Sequence, residues 1–150
     1  MARIDFYHLK KQDLDDVLPV LLSKAYASGN AVLVKTASDT VEKVNSFLWT
    51  YAEDSFLPHG SAKDGFVAEQ PIFITDSDEN PNQARFLFLV NGAEPSWENI
   101  EQYNRVFNIF DGNTETAVQQ ARILWKSFKD RGFEVHYWQQ SERGAWEQKV

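Results

Sequence analysis

From Arg105 to Trp138 the chain reads RVFNIFDGNTETAVQQARILWKSFKDRGFEVHYW, and the spacing of its apolar residues changes twice. Arg105 to Phe110 alternates, as a strand does. Thr114 to Arg131 repeats apolar residues every three or four positions, as a helix does, and Phe133 to Trp138 alternates again. Gly132 stands where a left-handed residue stops a helix. Strand, amphipathic helix and strand in succession mark an α/β domain, and the rest of the chain repeats the switch. Ile4 to Leu9 reads as a first strand, with Ile4, Phe6 and His8 on one face. Leu14, Val17, Leu18, Leu21, Leu22 and Ala25 follow at helical spacing, with Pro19 expected in the first turn and Gly29-Asn30 as the stop. Ala31 to Lys35 (AVLVK) is short, β-branched and apolar, the pattern of a strand covered on both faces. A second helix is expected from a cap at Ser38 or Asp39 to about Tyr51. Residues 52–70 lose periodicity and read as one long loop. Pro71 to Thr75 and Arg85 to Val90 read as strands around an acidic turn, and a polar connection containing Trp97 follows. The domain is expected over 1–138, with 139–150 as a tail; no repeat or linker divides it.

Composition bounds what this domain does. At 150 residues, 43% hydrophobic and 25% charged, it is ordinary globular chain with one sizeable core. Fifteen basic residues against 22 acidic ones leave a net charge of −7, a poor overall field for wrapping nucleic acid. The absence of cysteine excludes disulfides, thiolate nucleophiles and cysteine-based zinc sites. His8, His59 and His136 are scattered, so no metal site is expected. The N-terminus lacks the apolar run of a signal peptide, and no stretch approaches the ~20 apolar residues of a membrane span. A cytoplasmic protein without membrane contact is expected. Neither G-x-x-x-x-G-K-[ST] nor G-x-G-x-x-G follows a strand, and no G-x-S-x-G occurs, so neither a cofactor nor catalysis is expected. Eleven phenylalanines, five tyrosines and five tryptophans are more rings than a core of this size usually hides.

Three features stand out against this background. On a helical wheel Ala117, Ala121, Leu124 and Phe128 form the core stripe of the long helix. Arg122, Lys126 and Lys129 stack on another face, Arg131 joins them at the end, and Val118 and Trp125 fall between the stripes. A solvated basic face favouring the helix C-terminal dipole accounts for any one of these lysines. Four basic residues within ten positions of an acidic chain, bordered by a tryptophan, suit a short acidic, apolar peptide better. The second feature is Trp49, which falls roughly 100° from Leu48, at the margin of the stripe Val41, Val44, Leu48 and Tyr51. The third is Ser55-Phe56-Leu57-Pro58-His59-Gly60, a loop either tucked against its own domain or offered to a partner. Exposed together, Trp49 and Phe56 would form an apolar patch with a purpose, whereas His59 alone reads as a structural histidine.

In this order and spacing the pieces resemble the chi subunit of bacterial DNA polymerase III holoenzyme. FYHL at 6–9, AYASGNAVLV at 25–34, FLWTYAEDSFLPHG at 47–60 and ARILWKSFKDRGFEV at 121–135 carry the resemblance, which spans nearly the whole chain. It implies a three-layer Rossmann-like α/β domain with a mostly parallel central sheet and no phosphate-binding loop. It also implies a non-catalytic subunit that binds the acidic, Phe-ending C-terminal tail of single-stranded DNA-binding protein, connects through the psi subunit to the clamp loader, and meets DNA only indirectly. Carried over residue by residue, the tail site falls on Arg122, Trp125 and Lys126, with Lys129 of the basic stripe and Val118 from between the stripes beside them. The psi-facing patch falls on Trp49 and Phe56. A small apolar residue of the family's pocket falls near Phe110-Asp111. Two other readings remain open from the residues alone: a small enzyme or nucleotide-binding domain with a site near His59 and Asp54, and a direct nucleic-acid binder using Arg122, Lys126, Lys129 and Arg131.

Overall fold

The computed structural model describes residues 2–50 and 57–149. In chain order they form β1 (Arg3–Leu9), α1 (Leu14–Ala27), β2 (Val32–Lys35), α2 (Val41–Thr50), β3 (His59–Ser61), β4 (Ile72–Thr75), β5 (Phe86–Leu89), β6 (Arg105–Asp111), α3 (Glu115–Asp130), β7 (Glu134–Gln140) and β8 (Trp146–Gln148). The strands make one sheet in the order β3-β4-β2-β5-β6-β1-β7-β8. Every pairing is parallel except the β7–β8 edge.

The alternation within each strand builds a core on either face, giving three layers. Val32 and Val34 of β2 turn to one face, where they meet Val17, Leu18 and Leu22 of α1 and Val44 and Leu48 of α2. Leu33 turns to the other, which is covered by Ala121 and Phe128 of α3 and by Ile100 and Tyr103 from the connection between β5 and β6. Both faces of β2 are therefore dry, as the apolar AVLVK run requires of a strand inside a parallel sheet. Adjacent strands β1 and β6 send the chain to opposite faces, β1 into α1 and β6 into α3, so a crevice opens at their carboxyl ends.

Four sequence expectations are corrected. Pro19 does not open α1: Asp13 and Asp16 form a capping box, the helix starts at Leu14, and Pro19 is its sixth residue. The lost bond to the carbonyl of the exposed Asp15 is tolerated because water reaches it, while Val17, Leu18 and Leu22 are buried. Neither Ser38 nor Asp39 caps α2, which is entered through a 3-10 turn over Ser38–Thr40 from an extended Ala37 without a side-chain cap. The stretch expected as a loop contains β3, whose His59, Gly60 and Ser61 pair with Ile72, Phe73 and Ile74. Three residues are too few to show period-two alternation, so only the sheet reveals this strand. Residues 139–150 are not a plain tail: β7 runs through the boundary expected at 138, and β8 folds back on it antiparallel, placing the Trp146 ring 5.1 Å from that of Tyr7.

Candidate functional site

The α3 helix is positioned by its core stripe, in which Phe128 is fully buried and Ala121 nearly so. The Phe128 ring packs edge-on against Phe6, Phe133 and Trp97. Ala117 and Leu124 belong to the same stripe and are half-buried, because they border the crevice instead of lying under the helix. This seating turns Arg122, Lys126 and Lys129 outward, all exposed, and none pairs with a carboxylate among the described residues. Trp125 and Val118 are half-buried at the flank and pack on the core. The Lys129 ammonium stands 5.6 Å from the centre of the Trp125 ring, and Arg131 lies 4.0 Å over Trp97, which occupies it. The stripe read from the helical wheel is thus a surface of three cations without a carboxylate partner among the described residues, bordered by an indole and a valine.

Beside that flank the sheet supplies residues that one-dimensional reading missed. His8 on β1, Phe110 on β6 and Tyr137 on β7 are brought together by parallel register, with His8 aligned to Phe110. The His8 ring lies 4.9 Å from Phe110, and the Tyr137 hydroxyl hydrogen-bonds His8 Nδ1. Burial, and then the charges of Lys10 and Arg122, push the His8 imidazole below its ordinary value. Burial raises Tyr137, and Arg122 partly offsets it. The Arg122 field reaching both rings ties this aromatic floor to the basic stripe. A Cβ at Gly112 would sit 2.0 Å from the His8 ring, so only glycine fits there. Asp111 is exposed, and its carboxylate is engaged by Thr114 Oγ1 and the Asn113 amide, which hold it below the usual carboxylate range. It caps the loop before α3.

The second candidate patch is half visible. Trp49 on α2 is 47% exposed, and its ring lies 4.2 Å from the His59 ring. Phe56 and Asp54 lie outside the described residues. His59 is 3% exposed, with Nδ1 facing the Leu57 carbonyl and Nε2 facing the Asn45 carbonyl. A ring held at both nitrogens and covered by Trp49 has no free edge for substrate, which removes the support for an active site at this position.

The turn after β1, where dinucleotide-binding sheets hold phosphate, is closed by the protein itself. The backbone amides of Lys10, Lys11 and Gln12 all donate to Gln140 Oε1, at 3.0, 3.2 and 3.3 Å. The Gln140 amide in turn donates to Gln12 Oε1, and the residue is 2% exposed. No metal-holding group of three or more His, Cys, Asp or Glu occurs among the described residues, and no helix among them is long and apolar enough to cross a membrane.

These features define a Rossmann-like α/β domain with its phosphate turn plugged and a cationic, aromatic-edged helix face left open. The chain belongs to the DNA polymerase III chi subunit family: the model of that family, described as "DNA polymerase III chi subunit, HolC", matches residues 1–136. It is 29% identical over 150 residues to the "Probable DNA polymerase III subunit chi" of Rickettsia prowazekii (strain Madrid E), an alignment covering 97% of this chain and 91% of that protein. The resemblance read from the sequence is thereby shown, and with it a place in DNA replication as an accessory subunit of the polymerase III assembly.

Proposed function

We propose that this subunit is non-catalytic and cytoplasmic and that it binds the acidic, Phe-ending C-terminal tail of single-stranded DNA-binding protein along α3. Arg122, Lys126 and Lys129 take the carboxylates, while Val118 and Trp125 receive the apolar end. The observation that carries this reading is the set of three exposed cations on an acidic protein, none neutralised among the described residues, beside a half-buried indole. Charge-assisted contacts to a carboxylate are about twice as strong as neutral ones. Trp49 and Phe56 form the patch for psi or another clamp-loader component, so that the subunit couples coated single-stranded DNA to the clamp loader.

Calorimetry with an acidic peptide ending in Phe tests the tail site. Arg122→Ala and Lys126→Ala each weaken binding by about 1–2 kcal/mol, or five- to thirtyfold, with unfolding midpoints unchanged. Removal of the terminal Phe weakens binding by a similar factor. Unaltered affinity in both variants would overturn the site.

A further inference from the structure

Two buried side-chain nitrogens on the α3 side of the sheet, His8 Nε2 and Trp125 Nε1, make no hydrogen bond to any described residue. Trp125 belongs to the tail stripe, and His8 is the one histidine on this side. His59 turns its ring towards α2, and His136 is aligned with Asp5, whose neighbours Ile4 and Phe6 share the face of His8. The His8 ring is wedged between strands: its centre lies 4.9 Å from that of Phe110 on β6 and 5.9 Å from that of Tyr137 on β7. It also fills the space that a side chain at Gly112 would take. Nδ1 meets the Tyr137 hydroxyl, which donates to an unprotonated nitrogen and accepts from a protonated one. That bond therefore survives in either charge state, and the ring gains or loses a proton without moving.

The charge on the ring is set by groups from every element around it. Burial opposes a proton, and so do Lys10 after β1 and Arg122 on α3, whereas the Gly112 backbone and Asp111 at the end of β6 favour one. Tyr137 is itself kept protonated by burial. The balance holds the imidazole below its ordinary value in the free protein. An acidic ligand on α3 alters one side of that balance. Carboxylates on Arg122 and Lys126 compensate a cation that opposes the proton, and they bring negative charge of their own to a partly dry site. A ligand that favours the protonated form of a base takes up a proton on binding, and by linkage it binds more tightly as pH falls.

We propose that His8 is the proton-linked residue of the tail site: an acidic peptide on Arg122 and Lys126 draws a proton from solvent onto the His8 imidazole, which Tyr137 holds in place. The inference rests on the tail reading of α3 and adds to it a regulation by pH. His8 is a positioning residue that acts through Arg122, since its unpartnered nitrogen is closed off from direct contact.

Calorimetry of the full chain with the acidic peptide ending in Phe, at about pH 7.5 and about pH 5.5, reads the linkage. Affinity rises about fivefold at the lower pH, and the heats in buffers of different ionisation enthalpy report proton uptake. The peptide's own aspartates titrate near ~4 and weaken binding in acid, so they do not imitate the rise. His8→Gln, which keeps a hydrogen-bonding side chain without the charge, binds equally at both pH values, while His136→Gln retains the rise. NMR titration of the His8 imidazole in the parent protein, with and without peptide, decides the matter if His8→Gln fails to fold: the bound form titrates at higher pH. Equal affinity at both pH values, a rise that survives in His8→Gln, or a His8 titration unmoved by peptide overturns the linkage and leaves the tail site standing. A peptide that binds at neither pH overturns both.

Discussion

Asp5 is fully buried in the middle of β1, where a carboxylate survives only with several donors. Arg105 reaches its Oδ2 at 2.7 Å, while Trp138 Nε1 and Arg3 reach Oδ1 at 3.0 and 3.1 Å. Burial by itself raises this carboxyl; the hydrogen bonds from Arg105, Trp138 and Arg3 outweigh it and hold the group below its ordinary 3.8. Because the folded value is depressed, the stabilisation is fully present above about pH 4 and is lost as pH falls through the folded value. Asp5→Ala removes it and leaves Arg105 without a carboxylate, while Arg3 keeps Glu134 at 4.0 Å. Both arginines are more than a third exposed and turn to water, so the loss is about 2–3 kcal/mol in urea unfolding at pH 7, shrinking towards pH 3. A loss independent of pH would refute the ionised assignment. The alternation around Asp5 and the nearby Arg3 were readable, but the donors Arg105 and Trp138 were not, since they are a hundred or more positions away.

At the scale of elements, the clearest success of sequence reading is α3. Its sixteen residues cover one amphipathic period several times over, so the free basic stripe was visible before any contact was known. The weakest elements were the short ones. Strand β3 has three residues and no stripe, and β8 has three with one apolar side chain. Trp146 nevertheless packs across Tyr7 and extends an aromatic row that includes Trp138, 6.4 Å from Tyr7. A chain ending at Gln140 therefore keeps its two cores but uncovers these rings. It unfolds at lower urea, with a loss of about 1–2 kcal/mol, and an unchanged midpoint would show that the hairpin contributes nothing to stability.

Across the whole molecule, a net charge of −7 and an unneutralised cationic stripe act together. The average field repels bare phosphates, while the stripe attracts a compact acidic peptide at short range. At physiological salt the protein leaves a naked single-stranded oligonucleotide unshifted while retaining the tail peptide. Peptide affinity falls as salt rises from 50 to 500 mM. Binding of the naked strand with equal affinity, lost in the Arg122→Ala variant, would instead establish the direct nucleic-acid reading.

What this sequence determined by itself was what repeats over a long enough window: the α/β alternation, the doubly covered β2, the faces of α3 and the family resemblance carried by its motifs. Those are local properties, set by residues close along the chain. Tertiary structure alone decided what depends on registration between distant strands. Gln140 on β7 closes the turn after β1. His8, Phe110 and Tyr137 gather beside Arg122 from three strands. Asn108, a polar residue between the apolar Phe107 and Ile109 of β6, lines a cavity at the carboxyl ends of strands that part to opposite sides of the sheet. A side chain's period along the chain tells which way it points; only the sheet order tells what it meets.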